Sequence, residues 1–474
     1  MHKPPPVILW FRSDLRLSDH PALAAAIASG QPVLPVYILE DDIPWPMGGA
    51  SRWWLHHSLT ALSADLQRRG ASLLLRRGDP AEILPALMHD TAADALHAGQ
   101  VHEPAGRNTE AALAKRLGDR FHLHRTATLF DLDSVRTKTG GVYGVYTPFS
   151  RACRARTGIG EPLPPPAEIA GVKPPQSDDL ADWDLLPRHP DWAGGIRAQW
   201  QPGEANALER LAAFLENAVA RYKTGRNLPG EDGTSRLSPH LHWGELSPRQ
   251  VWHAAGALPP GDGLDTFLGE ILWREFAAYL LWHQPHLPDQ PLRPAFANLP
   301  VRHEASELAA WQRGQTGVPI VDAGMRQLWQ RGWMHNRVRM IAASFLVKQL
   351  LIDWRDGERW FWDTLVDADL ASNAASWQWI AGCGIDAQPF FRVFNPVTQG
   401  TTWDKAGDYV RHYVPELAAL PEQFLHAPWT APAPVLAKAG VTLGTTYPQP
   451  LVELGPARQR ALDAYRDTVR KHTA

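Results

Sequence analysis

Cysteine is nearly missing from this chain, with Cys153 and Cys383 the only two among 474 residues. Two distant thiols exclude a disulfide framework and a cysteine-based zinc site, and they fit a reducing compartment. No apolar run approaches the ~18 residues of a membrane span, and the opening "MHKPPP" is not a signal peptide. A cytoplasmic protein without a membrane partner is expected. A dominant charge is lacking too: 47 Lys+Arg face 50 Asp+Glu, a net −3, so no overall field announces a nucleic-acid binder. No G-x-G-x-x-G follows the first apolar run, and neither a P-loop nor a G-x-S-x-G elbow occurs. An ordinary dinucleotide-binding half is thereby excluded. The histidines are scattered. Asp367 and Asp369 find no third ligand at a suitable spacing, so no metal centre is expected.

Tryptophan is what the sequence has in excess: 21, against 14 Phe and 9 Tyr. Most of these indoles belong to an aromatic core, and the remainder point to stacking on a planar ligand or on bases.

The first part of the chain alternates short apolar runs with amphipathic ones. "VILWF" (7–11), "VLPVYIL" (33–39), "SLLL" (72–75) and "FHLH" (121–124) predict strands. Helices are predicted after Pro21, Ser51, Pro80 and Asn108, with Ser51 a cap. This alternation predicts a doubly wound parallel α/β sheet over residues 1–130. Residues 131–200 are rich in Pro and Asp and predict an interdomain connector. Residues 201–474 read as all-helical.

Four clusters stand out in the helical part. "GTSRLS" gathers Thr234, Ser235, Arg236 and Ser238 ahead of a helix: hydroxyls and a guanidinium suit an anion, while a simple capping loop is the common alternative. In "GEILWREF", Glu270, Trp273 and Arg274 share one helical face, as a surface ion pair or as a carboxyl and an indole meeting a ligand. In "WMHNRVRMIAASFLVK", Met334, Val338, Ile341 and Phe345 form a buried stripe, and Asn336 and Met340 lie nearly opposite. That methionine packs on another helix or offers a soft surface to a flat ligand. No acid occurs between Asp322 and Asp353, where Arg326, Arg331, Arg337, Arg339 and Lys348 fall; such a run is a solvated face or a phosphate footprint. Finally, "DADLASNAASWQW" sets Asp369, Asn373 and Trp377 four apart on one face, a polar and aromatic strip where a core helix would carry aliphatics.

These motifs, with "LWFRSDLRLSDHPAL", "ASRWWLHHSL", "TGVPIVDAGMRQL", "DWRDGERWFW" and "FRVFNPVTQG", run in one order along nearly the whole chain. In that order the chain resembles the photolyase/cryptochrome flavoproteins, most closely the class I cyclobutane pyrimidine dimer photolyases. The resemblance implies an α/β antenna domain, a connector, a helical domain holding FAD, and DNA with pyrimidine dimers as partner. Nothing suggests more than a monomer.

The resemblance also implies roles. Tyr222, Thr234, Ser235, Arg236, Leu237 and Ser238 match residues around the FAD phosphates and ribityl chain. Phe267, Arg339, Asp367 and Asp369 match other cofactor contacts, and Asn373 matches the position at the reactive flavin nitrogen. Glu270, Asn336 and Met340 match the lesion pocket, with Trp273 and Trp379 as its walls. Arg226, Arg274, Arg337 and Gln399 match DNA contacts. Trp377 and Trp354 match the first two indoles of the electron-transfer chain, whereas Val301 stands at the third, where Trp329, Trp360, Trp362 or Tyr409 are candidate substitutes. Six-four photolyases carry histidine where Asn336 stands, which favours cyclobutane dimers. The implied activity is light-driven electron transfer from reduced FAD to a flipped-out dimer. The resemblance also covers cryptochrome-like sensors and flavoproteins without repair. A second, antenna chromophore (folate, deazaflavin or another pigment) is a family feature that "ALHAGQVHEPAGRNTEAAL" does not assign.

Overall fold

The computed structural model describes residues 4–156, 158–387 and 389–469. Five parallel strands build the N-terminal sheet: β1 (Val7–Phe11), β2 (Val33–Leu39), β3 (Leu74–Arg77), β4 (Ala95–Gly99) and β5 (Phe121–His124), in the order β3-β2-β1-β4-β5. Helices α1 (Pro21–Ala28), α2 (Gly49–Arg68), α3 (Pro80–Asp90) and α4 (Pro104–Leu117) connect them. Alternate residues of β1 face opposite ways. Ile8 and Trp10 pack with Val36, Leu84 and Leu113 on one side; Leu9 and Phe11 pack with Leu23, Trp53 and Trp54 on the other. Burial on both faces explains why these strands read as continuous apolar runs.

The expected doubly wound sheet is present, with four local corrections. β4 was not expected, because His97 and Gly99 interrupt its apolar run. β3 lies two residues beyond the predicted "SLLL". Ser51 does not cap α2; the cap is Gly48, and the Ser51 hydroxyl donates to the Leu365 carbonyl inside the helix's buried face. α4 starts at Pro104, not after Asn108, since proline at a first helical position gives up an N–H that has no partner there.

From the helix Glu204–Asn217 onward the described structure is helical. The sheet unit is tied to it by buried polar contacts. The guanidinium of Arg16, 1% exposed, donates to the carbonyls of Asp19, Thr126 and Gly244. Arg249 pairs with Asp19, and Trp54 Nε1 donates to Glu245 at 3.1 Å. Trp243, Trp333 and Val366 complete the core on the α1–α2 side of the sheet. Among the described residues no helix is long and apolar enough to cross a membrane.

Candidate functional site

The anion-type loop reaches its shape through two close approaches. A Cβ on Gly233 would stand 2.6 Å from the Gly225 carbonyl oxygen, so only glycine fits there. Arg236 adopts φ +51°, a left-handed conformation that turns the chain into the helix Ser238–His242. That helix is a single turn, so its dipole contributes little; the donors are the hydroxyls of Thr234, Ser235 and Ser238 and the Arg236 guanidinium. Arg236 Nε is buried without a protein partner. Ser238 Oγ accepts from Trp333 Nε1 at 3.3 Å, and buried Leu237 donates its N–H to Ser235 Oγ at 3.4 Å. Tyr222 lies buried behind the loop, edge-on to Phe267 at 5.5 Å.

Beside the loop, His335 caps the helix Asn336–Ser344. Burial pushes its imidazole down to about 3, and Arg337, Arg339, Arg236 and Arg226 push the same way, so it is neutral among four cations. His335 Nε2 and Arg337 Nε are also buried donors without hydrogen-bond partners among the described residues. Three orphaned donors within a ring of guanidiniums make a site for a polyanion. They fit the phosphates of a dinucleotide cofactor.

The polar strip of "DADLASNAASWQW" joins this ring through Arg339. Asp367 receives Arg339 through contacts of 3.1 and 2.8 Å. Asp369 caps the helix Leu370–Ala381, accepting from the Ser372 N–H at 2.7 Å, and stands 3.8 Å from both His102 and His242. Burial alone would raise this carboxyl; the two histidines outweigh burial and hold it well below the usual range. Asn373 donates to the Glu358 carbonyl at 3.0 Å. Glu358 is itself fully buried, and burial raises its carboxyl well above the ordinary value. Trp377 is packed edge-on to Phe361 (5.0 Å) and Trp311 (6.2 Å). Gly357 permits this, since a Cβ there would come within 2.2 Å of the Trp377 ring. Trp354 is buried in the same core, whereas Val301 is 36% exposed. Of the candidate substitutes, Tyr409 is buried on Gln327, and Trp362 donates to the Pro46 carbonyl. Trp329 alone of the four is strongly exposed, at 54%, and stacks on Trp360 at 6.0 Å and 5°.

On the helix Asp262–His283, Glu270 is half-buried and paired with Arg226 at 2.9 Å. Burial raises its carboxyl and Arg226 partly opposes this. Trp273, 36% exposed, stacks flat on Tyr146 of α5 (Tyr146–Arg154) at 3.6 Å and 8°. Asn336 is exposed, and Met340 and Trp379 are half-buried. Arg337 bonds Asn227 and lies 4.6 Å over the Trp403 ring, while Trp403 Nε1 donates to Gln399 at 3.2 Å.

Two expectations need correcting. Arg274 does not pair with Glu270; its nitrogens go to the Ala127 and Leu241 carbonyls, and it lines the junction cavity with Asp369 and His242. The acid-free run is not one phosphate footprint. Lys348 is fully buried and donates to the Arg392 carbonyl, and Arg326 is bound to Glu416. Sequence reasoning missed His102, His242, Glu358, Tyr146 and Trp403. A histidine and a carboxylate brought together from distant segments leave no spacing signal, but "WDKAGDY" following Gln399 placed Trp403 one turn away.

Comparison with known proteins agrees with this geometry. The family profile described as DNA photolyase matches residues 7–167, and the one described as FAD binding domain of DNA photolyase matches 267–467. The chain is 50% identical over 470 residues to a deoxyribodipyrimidine photo-lyase of Agrobacterium fabrum, covering 98% of each. It is 35% identical to cryptochrome-1 of Arabidopsis thaliana, over 96% of this chain and 70% of that one. The crystal structure of a bacterial class III photolyase from Agrobacterium tumefaciens superposes with a TM-score of 0.96 at 50% identity, covering 99% of each chain.

Proposed function

Since the chain belongs to the photolyase/cryptochrome family and carries its FAD-binding domain, we propose that it is a blue-light-driven enzyme that splits cyclobutane pyrimidine dimers in DNA. The observation that supports this reading is the half-buried Glu270, paired with Arg226 at 2.9 Å, with the partly exposed Trp273 one turn on along the same helix. When bound, reduced FAD supplies the photoexcited electron that opens the cyclobutane ring and takes that electron back.

The protein's own residues bind, orient and exclude water. Thr234, Ser235, Ser238 and Arg236 hold the cofactor phosphates. Arg339 and Asp367 fix each other beside the ring system, with Asp369 and Asn373 on the next turns. Enzymes acting on a buried base take it out of the stack, at a lower cost where the pair is already damaged. Trp273 and Trp379 receive the extruded dimer by stacking, and Tyr146 holds the Trp273 ring flat. Burial raises the Glu270 carboxyl, which favours a hydrogen bond to the pyrimidine edges. Asn336 replaces the histidine of the six-four enzymes. Arg226, Arg337 and Gln399 lie on the rim for DNA backbone contact, and Arg274 serves the junction. In this reading residues 1–130 form the antenna unit, 131–200 the connector and 201–474 the catalytic unit, which acts as a monomer.

A second reading, a cryptochrome-like sensor, is favoured by Val301, which interrupts the indole route used to reduce the flavin. One experiment separates them: FAD-loaded protein, chemically reduced, is illuminated with blue light and thymine-dimer oligonucleotide. Repair predicts loss of dimers, and Glu270→Ala predicts dimer affinity weaker by ~1–3 kcal/mol, from an unmet buried polar contact. Persistence of all dimers refutes the repair reading.

A further inference from the structure

In the N-terminal sheet, the parallel register brings together three histidines. His97 in β4 pairs with His122 in β5, and His124 follows two residues later. All three side chains therefore project from the same face. It is the α1 face, since Ala95, two residues before His97, packs with that core. His97 Nδ1 and His124 Nε2 are 3.0 Å apart. The His97 ring stacks on His122 at 4.8 Å and 27°, and on His124 at 5.3 Å and 29°. His97 is 8% exposed, His124 half-buried and His122 exposed, so the cluster opens to solvent at the edge of the sheet.

We propose that His97, His122 and His124 form a site for one divalent transition-metal ion of the zinc, nickel or copper class. Two imidazole nitrogens on a tetrahedral ion at ~2.0–2.1 Å stand roughly 3.3 Å apart, close to the spacing of His97 and His124. His122 sits on the exposed side and joins them by rotation about its own side-chain bonds. The fourth position falls to water.

The ligands are ready in the right form. Burial pushes His97 down to about 4, with repulsion from His124 and His122 added, and burial lowers His124 as well. An imidazole ligates through a ring nitrogen that carries no proton, in its neutral state. The ion replaces the N–H···N bond between them, and the shared proton moves to the other nitrogen of its own ring. No proton is released. His20, the nearest further histidine, is engaged by Leu23 and Asp14 and supplies no ligand. Bound metal would clip the edge strand β5 to β4, giving this unit a cross-link that its chemistry otherwise lacks.

The test is isothermal titration of zinc chloride into the FAD-loaded full chain. One equivalent is expected to bind, at least tenfold more weakly in H124N and in H122N, and unchanged in H89N, which removes an exposed histidine elsewhere. His122 is exposed, so H122N keeps the fold. Cobalt should give the visible band of a tetrahedral nitrogen site in the parent and lose it in both cluster variants. The proposal is overturned if the parent binds no zinc, if H122N and H124N bind as tightly as the parent, or if H89N abolishes binding.

Discussion

The sheet and the helical region bury different things. Within β1 and β2 the interior is almost wholly hydrocarbon and aromatic, whereas β4 also buries the imidazole of His97. The helical region buries Asp367, Asp369, Asn373, Glu358 and Lys348. Burying a carboxylate or an ammonium is costly unless it is paired, and the Glu358 carboxyl oxygens have no hydrogen-bond partner among the described residues. The contrast is one between strand interiors and the helical site; the loops of the sheet unit bury charge as well, at Asp14, Arg16 and Asp19.

Four changes break or sharpen that contrast, in descending size. Trp10, 1% exposed, is all scaffold. Trp10→Ala should lower stability by ~3–5 kcal/mol in chemical denaturation, with FAD per folded chain unchanged. Asp367→Ala should do the reverse: FAD retention falls by roughly 10- to 100-fold, or ~1.4–2.8 kcal/mol, measured as flavin absorbance per protein after dialysis. If it melts the protein as strongly as Trp10→Ala, the polar strip is structural after all. The third change is in pH. His335 titrates near 6.5 when unfolded and about 3 when folded, so the unfolded chain binds the extra proton. Stability is present above pH ~6.5 and declines as pH falls toward 3, by at most about 1.4 kcal/mol per unit. His335→Asn keeps a capping side chain and should flatten this slope. The smallest is Val301→Trp, which should leave stability within ~0.5 kcal/mol, as for other exposed positions, and speed flavin photoreduction under blue light without added reductant. An unchanged rate would show that electrons enter elsewhere, for which the exposed Trp329–Trp360 stack is placed.

How legible the molecule was follows the same division. Strands buried on both faces announce themselves, so β1 and β2 were read to the residue; β5, an edge strand with no fully buried residue, was read to the residue from its alternation alone. β4 was lost because its histidine turns toward the α1 face, a placement that only pairing with β5 explains. β3 was misplaced because Arg76 and Arg77 end it at the sheet's edge, where charge is tolerated. In the helical part, the buried stripe Met334, Val338, Ile341 and Phe345 was evident from spacing, and all four are buried. Partners were not. Glu270 and Arg274 have the spacing of a pair, yet Arg226 takes the carboxylate and Arg274 turns to the junction. A helical period tells which residues share a face and is silent about what the face meets.

The Arg16 knot has a photophysical consequence. Its four carbonyl acceptors, on Ser18, Asp19, Thr126 and Gly244, come from two segments of the sheet unit and one of the helical unit, and Asp19 is clasped by Arg249. The hinge between the two units is thereby removed. Any pigment seated on the sheet would keep a constant transition-dipole angle to the flavin, and the efficiency of resonance energy transfer between them would be a fixed property of the fold.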